Sequence, residues 1–161
     1  MIEHQRAVQL LGCLKRHILA GGQVIVGYDT VAEALGIDGD MNGAFTSVGQ
    51  ICSRLDLASF KAHLPMLALH WVRDKSGLVN VRTFSHPVWE DFEPEMRAVA
   101  AAYHWTPDDF DLLQAALDKL PDDCAKALWQ KEEVRAMQHR ANRYIRYNLH
   151  RRLRLAQKAT D

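Results

Sequence analysis

After Pro121-Asp122-Asp123 nothing in the sequence interrupts a helix before Thr160, and no other feature narrows the possible folds so much. Proline is pre-set for the first helical turn, and acids there complement the positive end of the helix dipole. The predicted helix is more than about 30 residues long, against ~10 to 14 in ordinary globular domains. Val134, Met137, Ala141, Ile145, Leu149 and Ala156 form its apolar stripe. At 100° per residue, Arg135, Arg140, Arg143, Arg146, Arg151, Arg154 and Lys158 fall on the opposite half, while Arg152 intrudes on the apolar side. A greasy face and a cationic face are therefore separated.

This segregation is hidden in the composition. The chain has 161 residues with 20 basic and 20 acidic side chains, so its formal charge is zero. Residues 131–161 nevertheless hold nine basic side chains against three acidic ones, leaving eleven against seventeen in residues 1–130. Such asymmetry implies a basic element that meets an anionic partner, or two opposite surfaces that meet each other or a second copy.

The length corresponds to one domain, and the 48% apolar content can bury about two-thirds of the unfolded surface, which excludes a disordered chain. No apolar run approaches the ~18 to 20 residues of a bilayer span, and Met1-Ile2-Glu3-His4-Gln5-Arg6 lacks the form of a signal peptide. A soluble, cytoplasmic protein is expected. Cys13, Cys52 and Cys124 are odd in number and widely spaced, so they read as small buried apolar residues rather than as a disulfide framework or zinc site.

Hydrophobic periodicity orders the rest. Ala7, Leu11, Leu14 and Ile18 mark a helix to about Ala20, stopped by Gly21-Gly22. Residues 23–27 are β-branched, short and bounded by glycine, which predicts a strand. A second helix is expected over 29–35, with Gly36 as its stop, followed by a turn over 37–43. That turn superficially resembles a calcium loop, but Gly49 stands where the twelfth-position glutamate belongs. A third helix is predicted over 44–57, with Phe45, Val48, Ile51, Cys52 and Leu55 inward. The apolar run 67–72, the turn 74–77 and residues 78–84 read as a hairpin. Trp89, Phe92, Met96, Val99 and Tyr103 restore the helical period, and Thr106-Pro107-Asp108-Asp109 starts a helix with Phe110, Leu113, Leu117 and Leu120 inward.

The expected fold is mainly α with a small β-hairpin: a winged-helix-like core over 1–85, then a helical extension over 86–161 packed with it as one unit. Gly22-Gln23-Val24-Ile25-Val26-Gly27-Tyr28-Asp29-Thr30-Val31-Ala32, Leu35-Gly36, Ser47-Val48-Gly49 and Leu64-Pro65 carry a more specific signal. Over about a third of the chain they resemble the C-terminal domain of alkylguanine-DNA alkyltransferases and alkyltransferase-like proteins. The resemblance implies a DNA-binding winged helix in which Tyr28 presses on a phosphate. The family's reactive cysteine has no counterpart in Ala68-Leu69-His70-Trp71-Val72-Arg73, which excludes alkyl transfer, and Thr46 stands where its base-replacing arginine would be. Residues 64–78 also look like bacterial versions of this domain found beside nuclease modules, which associates the chain with defence or counter-defence.

Beside this stands the plain reading of the residues. Tyr28 equally suits a half-buried residue under the second helix. Gln50 and Arg54, four apart, can reach base edges from one helix face beside Thr46 and Ser47, although a surface helix carries such residues routinely. Arg73 and Lys75 belong to the hairpin as backbone contacts. Arg140, Arg143, Arg146, Arg151 and Arg154 are the phosphate clamps, unless they pair with the acids of residues 90–123. No metal-ligand spacing, nucleophile elbow or phosphate-cradling loop appears among the eight histidines and the carboxylates. The expectation is a non-enzyme without cofactor or metal that holds nucleic acid, double-stranded DNA first, by charge. The alternative is a protein-binding inhibitor or immunity factor, with a homodimer as a further possibility.

Overall fold

The computed structural model describes residues 2–37, 41–73, 100–122 and 158. It is mainly α-helical. The first helix, α1, spans Ile2–Leu19. Of the expected stripe, Ala7, Leu11 and Leu14 are at most 3% exposed and Ile18 is half-buried against the core, while Leu10, outside that spacing, is buried as well. Gly21 closes the helix at φ 77°. The Gly22 N–H then donates to the His17 carbonyl at 2.9 Å, a closure that needs a left-handed residue.

Strand β1, Ile25–Val26, leads into α2, Tyr28–Ala34. Gly36, at φ 64°, ends α2 as expected, with the Ile37 N–H donating to the Ala32 carbonyl. Helix α3 spans Met41–Lys61, α4 spans Leu67–Trp71 and β2 is Val72–Arg73. Residues 100–102 are helical, and α5 follows over Pro107–Asp118. Thr106 caps α5 with its backbone extended, and Asp109 reaches back to accept the Thr106 N–H at 3.0 Å.

Helix α3 is the axis of the molecule. Helices α1, α2, α4 and α5 all pack on it, and α1 and α5 also pack on each other. Every residue from Ile51 to Phe60 is buried, so this half of α3 has no solvent face. A helix enclosed on all sides must be apolar or must satisfy its polar groups internally. Ser53 Oγ donates to the Gly49 carbonyl at 2.8 Å, and Ser59 Oγ donates to the Leu55 carbonyl at 3.1 Å. The core of α1 to α5 is one cluster, running from Ala7 to Leu120. Each fully buried leucine in it, such as Leu14, Leu55 or Leu113, contributes about 1.5–3 kcal/mol.

Three expectations need correction. Residues 67–71 form a helix, not the first strand of a hairpin, and the extended piece that follows pairs in parallel with β1 (Ile25 with Val72, Val26 with Arg73). The reason lies in α3, whose Asp56 and Ser59 cap the start of α4. Of the expected turn over 37–43, Met41, Asn42 and Gly43 belong to α3 instead, and residues 38–40 lie outside the described residues. Helix α3 also runs past Leu57 to Lys61, where His63, at φ 55°, takes the left-handed position that glycine fills elsewhere. The expected second hairpin strand over 78–84, the helix through Trp89, Phe92, Met96 and Val99, and the long C-terminal helix lie outside the described residues, apart from a helical Lys158.

Candidate nucleic-acid interface

The parallel ladder brings together two chain segments that the sequence offered separately. Val26 pairs with Arg73, and Tyr28 follows Val26 by two residues at the start of α2. Tyr28 and Arg73, two positions the sequence put forward for phosphate contact, thus lie at the same end of one small sheet. Gly27 makes the join. It is buried, caps α2 and has φ 109°, and a Cβ there would lie 2.6 Å from Asp29 Oδ1. A side chain at this position is therefore strained by the backbone, while the contact itself asks only that the exposed Asp29 carboxylate shift. Asp29 in turn accepts the Thr30 N–H at 3.1 Å.

The other end of the ladder is tied to α1. His17 Nε2 donates to the Gln23 carbonyl, and its ring meets the half-buried Trp71 edge-on, with centroids 6.1 Å apart. The end of α1, the approach to β1 and the end of α4 consequently share one contact set.

Helix α3 offers less than its sequence suggested. Thr46 and Ser47 lie in its first half, Val48 and Gly49 are buried, and Gln50 is half-buried. Arg54 is not a base-reading residue. Its side chain is 0% exposed, with Nη1 3.6 Å from Glu3 Oε1 and Nη2 donating to the Leu120 carbonyl at 3.4 Å. The guanidinium ties α1 to the end of α5 inside the molecule, where no base edge can reach it. The i, i+4 spacing with Gln50 misled, because a surface helix and a central helix with one buried cation share that pattern.

Asp56 and Ser59 were missed by the sequence reading. Asp56 Oδ1 accepts the Ala68 N–H at 2.8 Å, and Ser59 Oγ accepts the Leu67 N–H at 3.4 Å. The available signal was a pair of polar residues three apart within an otherwise apolar run. Cys52 agrees with its apolar reading: burial, and secondarily Asp56, push its thiol far above the ordinary range, so it stays protonated. Cys13 is only half-buried and accepts from Arg16 Nη2 at 3.5 Å. Cys124 lies outside the described residues.

The outward side of α5 is acidic. Asp108, Asp111 and Asp118 are exposed there beside Leu112, which is 49% exposed, and Asp122 is exposed just past the helix end. Asp118 meets His4 Nε2 at 3.2 Å, joining α5 to α1. Asp109, by contrast, turns inward and accepts from Tyr103 Oη at 3.1 Å as well as from Thr106. Among the described residues no three His, Cys, Asp or Glu side chains group to hold a metal, and no helix is long and apolar enough to cross a membrane. Lys75, Arg140, Arg143, Arg146, Arg151 and Arg154 lie outside the described residues, and the side-chain surroundings of Tyr28, Thr46, Ser47 and Arg73 do too.

No family model matches the chain, and neither does any curated protein or solved structure.

Proposed function

We propose that the chain is a non-catalytic nucleic-acid-binding protein whose contacts are mainly electrostatic and whose preferred partner is double-stranded DNA. The observation that carries this reading is the register of the ladder, Val26 with Arg73, which gathers Tyr28 and Arg73 at one end of the sheet. It is supported by the charge pattern, since nine cations in residues 131–161 face only three acids in the same stretch. Tyr28, Arg73 and Lys75 contact the backbone beside the first half of α3, with Thr46, Ser47 and Gln50. Arg140, Arg143, Arg146, Arg151 and Arg154 extend the grip along the duplex. With Arg54 internal, little base readout remains, so affinity depends on salt far more than on sequence.

A second reading has one observation in its favour. The exposed row Asp108, Asp111, Leu112, Asp118 and Asp122 suits a protein-binding inhibitor or immunity factor that offers carboxylates to a cationic site. A gel shift with mixed DNA and RNA probes at two salt concentrations separates the two. Binding at low salt that collapses at high salt is expected, and no shift at low salt overturns the first reading.

A further inference from the structure

Five residues are too few for a helix to persist by its own hydrogen bonds, yet α4 packs on α3 with its first two residues buried. The first N–H groups of any helix lack partners within it. Water does not serve them here, since Leu67 is 0% and Ala68 2% exposed. Helix α3 supplies the acceptors instead: Asp56 Oδ1 for Ala68 and Ser59 Oγ for Leu67, from residues 3% and 0% exposed.

The position of α4 matters beyond itself. Trp71, its last residue, is followed without a linker by β2. The ladder has only two residue pairs and cannot fix its own register. The place of Arg73 relative to Tyr28 is therefore set by whatever anchors the start of α4. We infer that Asp56, assisted by Ser59, is the positioning residue for the Tyr28–Arg73 end of the sheet, acting through α4 without touching nucleic acid. This inference rests on the nucleic-acid reading above.

The test uses the full chain with Asp56→Ala, Asp56→Asn and Ser59→Ala. Two quantities are measured: hydrogen exchange at the Ala68 amide, and duplex affinity across a series of salt concentrations. Asp56→Ala is expected to speed Ala68 exchange by about tenfold or more. It should also weaken duplex binding about three- to tenfold and lower the salt slope by about one phosphate contact. Asp56→Asn keeps a carbonyl acceptor and should stay near wild type in both, whereas Ser59→Ala should move both in the direction of Asp56→Ala, by less. If Asp56→Ala does not fold, Ser59→Ala and Asp56→Asn carry the comparison. Faster exchange with unchanged affinity and slope overturns the positioning role while the nucleic-acid reading stands. A wild-type chain that binds no duplex overturns that reading, and this role with it.

Discussion

Arg54 and Cys52 are both buried in the same helix, one held by polar partners and the other packed as an apolar side chain. The Arg54 guanidinium is held by Glu3 and the Leu120 carbonyl. Removing one partner of such a buried pair strands the other, so Arg54→Ala should destabilise the fold by about 3–5 kcal/mol in urea unfolding. Duplex affinity per folded molecule should be unchanged at a temperature where the variant is native. A specific loss of affinity in a stably folded Arg54→Ala chain would contradict its internal role. Cys52 instead keeps its proton, because burial, then Asp56, raises its pKa in the folded state. The sign follows directly: the unfolded thiol ionises near pH ~8.5 while the folded one does not. The stability due to Cys52 is complete below that pH and declines as pH rises. Relative to Cys52→Ala, the wild-type chain should lose about 2 kcal/mol of unfolding free energy between pH 8 and pH 10. Parallel stability curves for the two proteins across that window would remove the buried-thiol interpretation.

At the level of elements, legibility follows where the stop signal resides. Helices α1 and α2 end at Gly21 and Gly36, both in the left-handed conformation, and α5 begins at Thr106-Pro107, so local chemistry announces all three. The end of α3 is silent, because His63 takes the left-handed position without being glycine. Helix α4 is illegible for a different reason. A short apolar run carries no decisive period, and its helical state depends on Asp56 and Ser59, eight to twelve residues earlier in the chain. The candidate interface divides in the same way. Tyr28 and Arg73 could be nominated from the sequence, but their common place at one end of the ladder depends on a parallel pairing that no local pattern encodes. Helix α5 offers a test of its start signal. Asp109 accepts from the Thr106 N–H, Thr106 Oγ1 and Tyr103 Oη, all within 3.1 Å. Asp109→Ala removes these acceptors and should cost about 1–2 kcal/mol, with faster amide exchange at Thr106. Unchanged exchange there would show that proline and packing suffice to start the helix.

On the scale of the whole chain, the decisive quantity is the separation of charge along the sequence. Residues 1–130 carry eleven cations against seventeen acids, and residues 131–161 reverse the balance. Under the electrostatic reading, anionic nucleic acid is drawn to the terminal segment and repelled by the acidic face of α5. Arg143→Ala, Arg146→Ala and Arg151→Ala combined should lower the slope of log affinity against log salt by about 2.7, at ~0.9 for each lost phosphate contact with duplex DNA. Asp111→Asn with Asp118→Asn should act oppositely, raising affinity modestly at low salt and not at all at high salt, where surface charges are screened. Asp118 also meets His4, so the unfolding midpoint of this double variant is measured alongside. Under the protein-binding reading the ranking reverses. The aspartate substitutions then abolish capture of a cationic partner, while the arginine substitutions leave it intact. The two sets of variants therefore assign the working face from opposite sides. An unchanged salt slope after the three arginines are removed would show that the terminal cations do not touch the duplex.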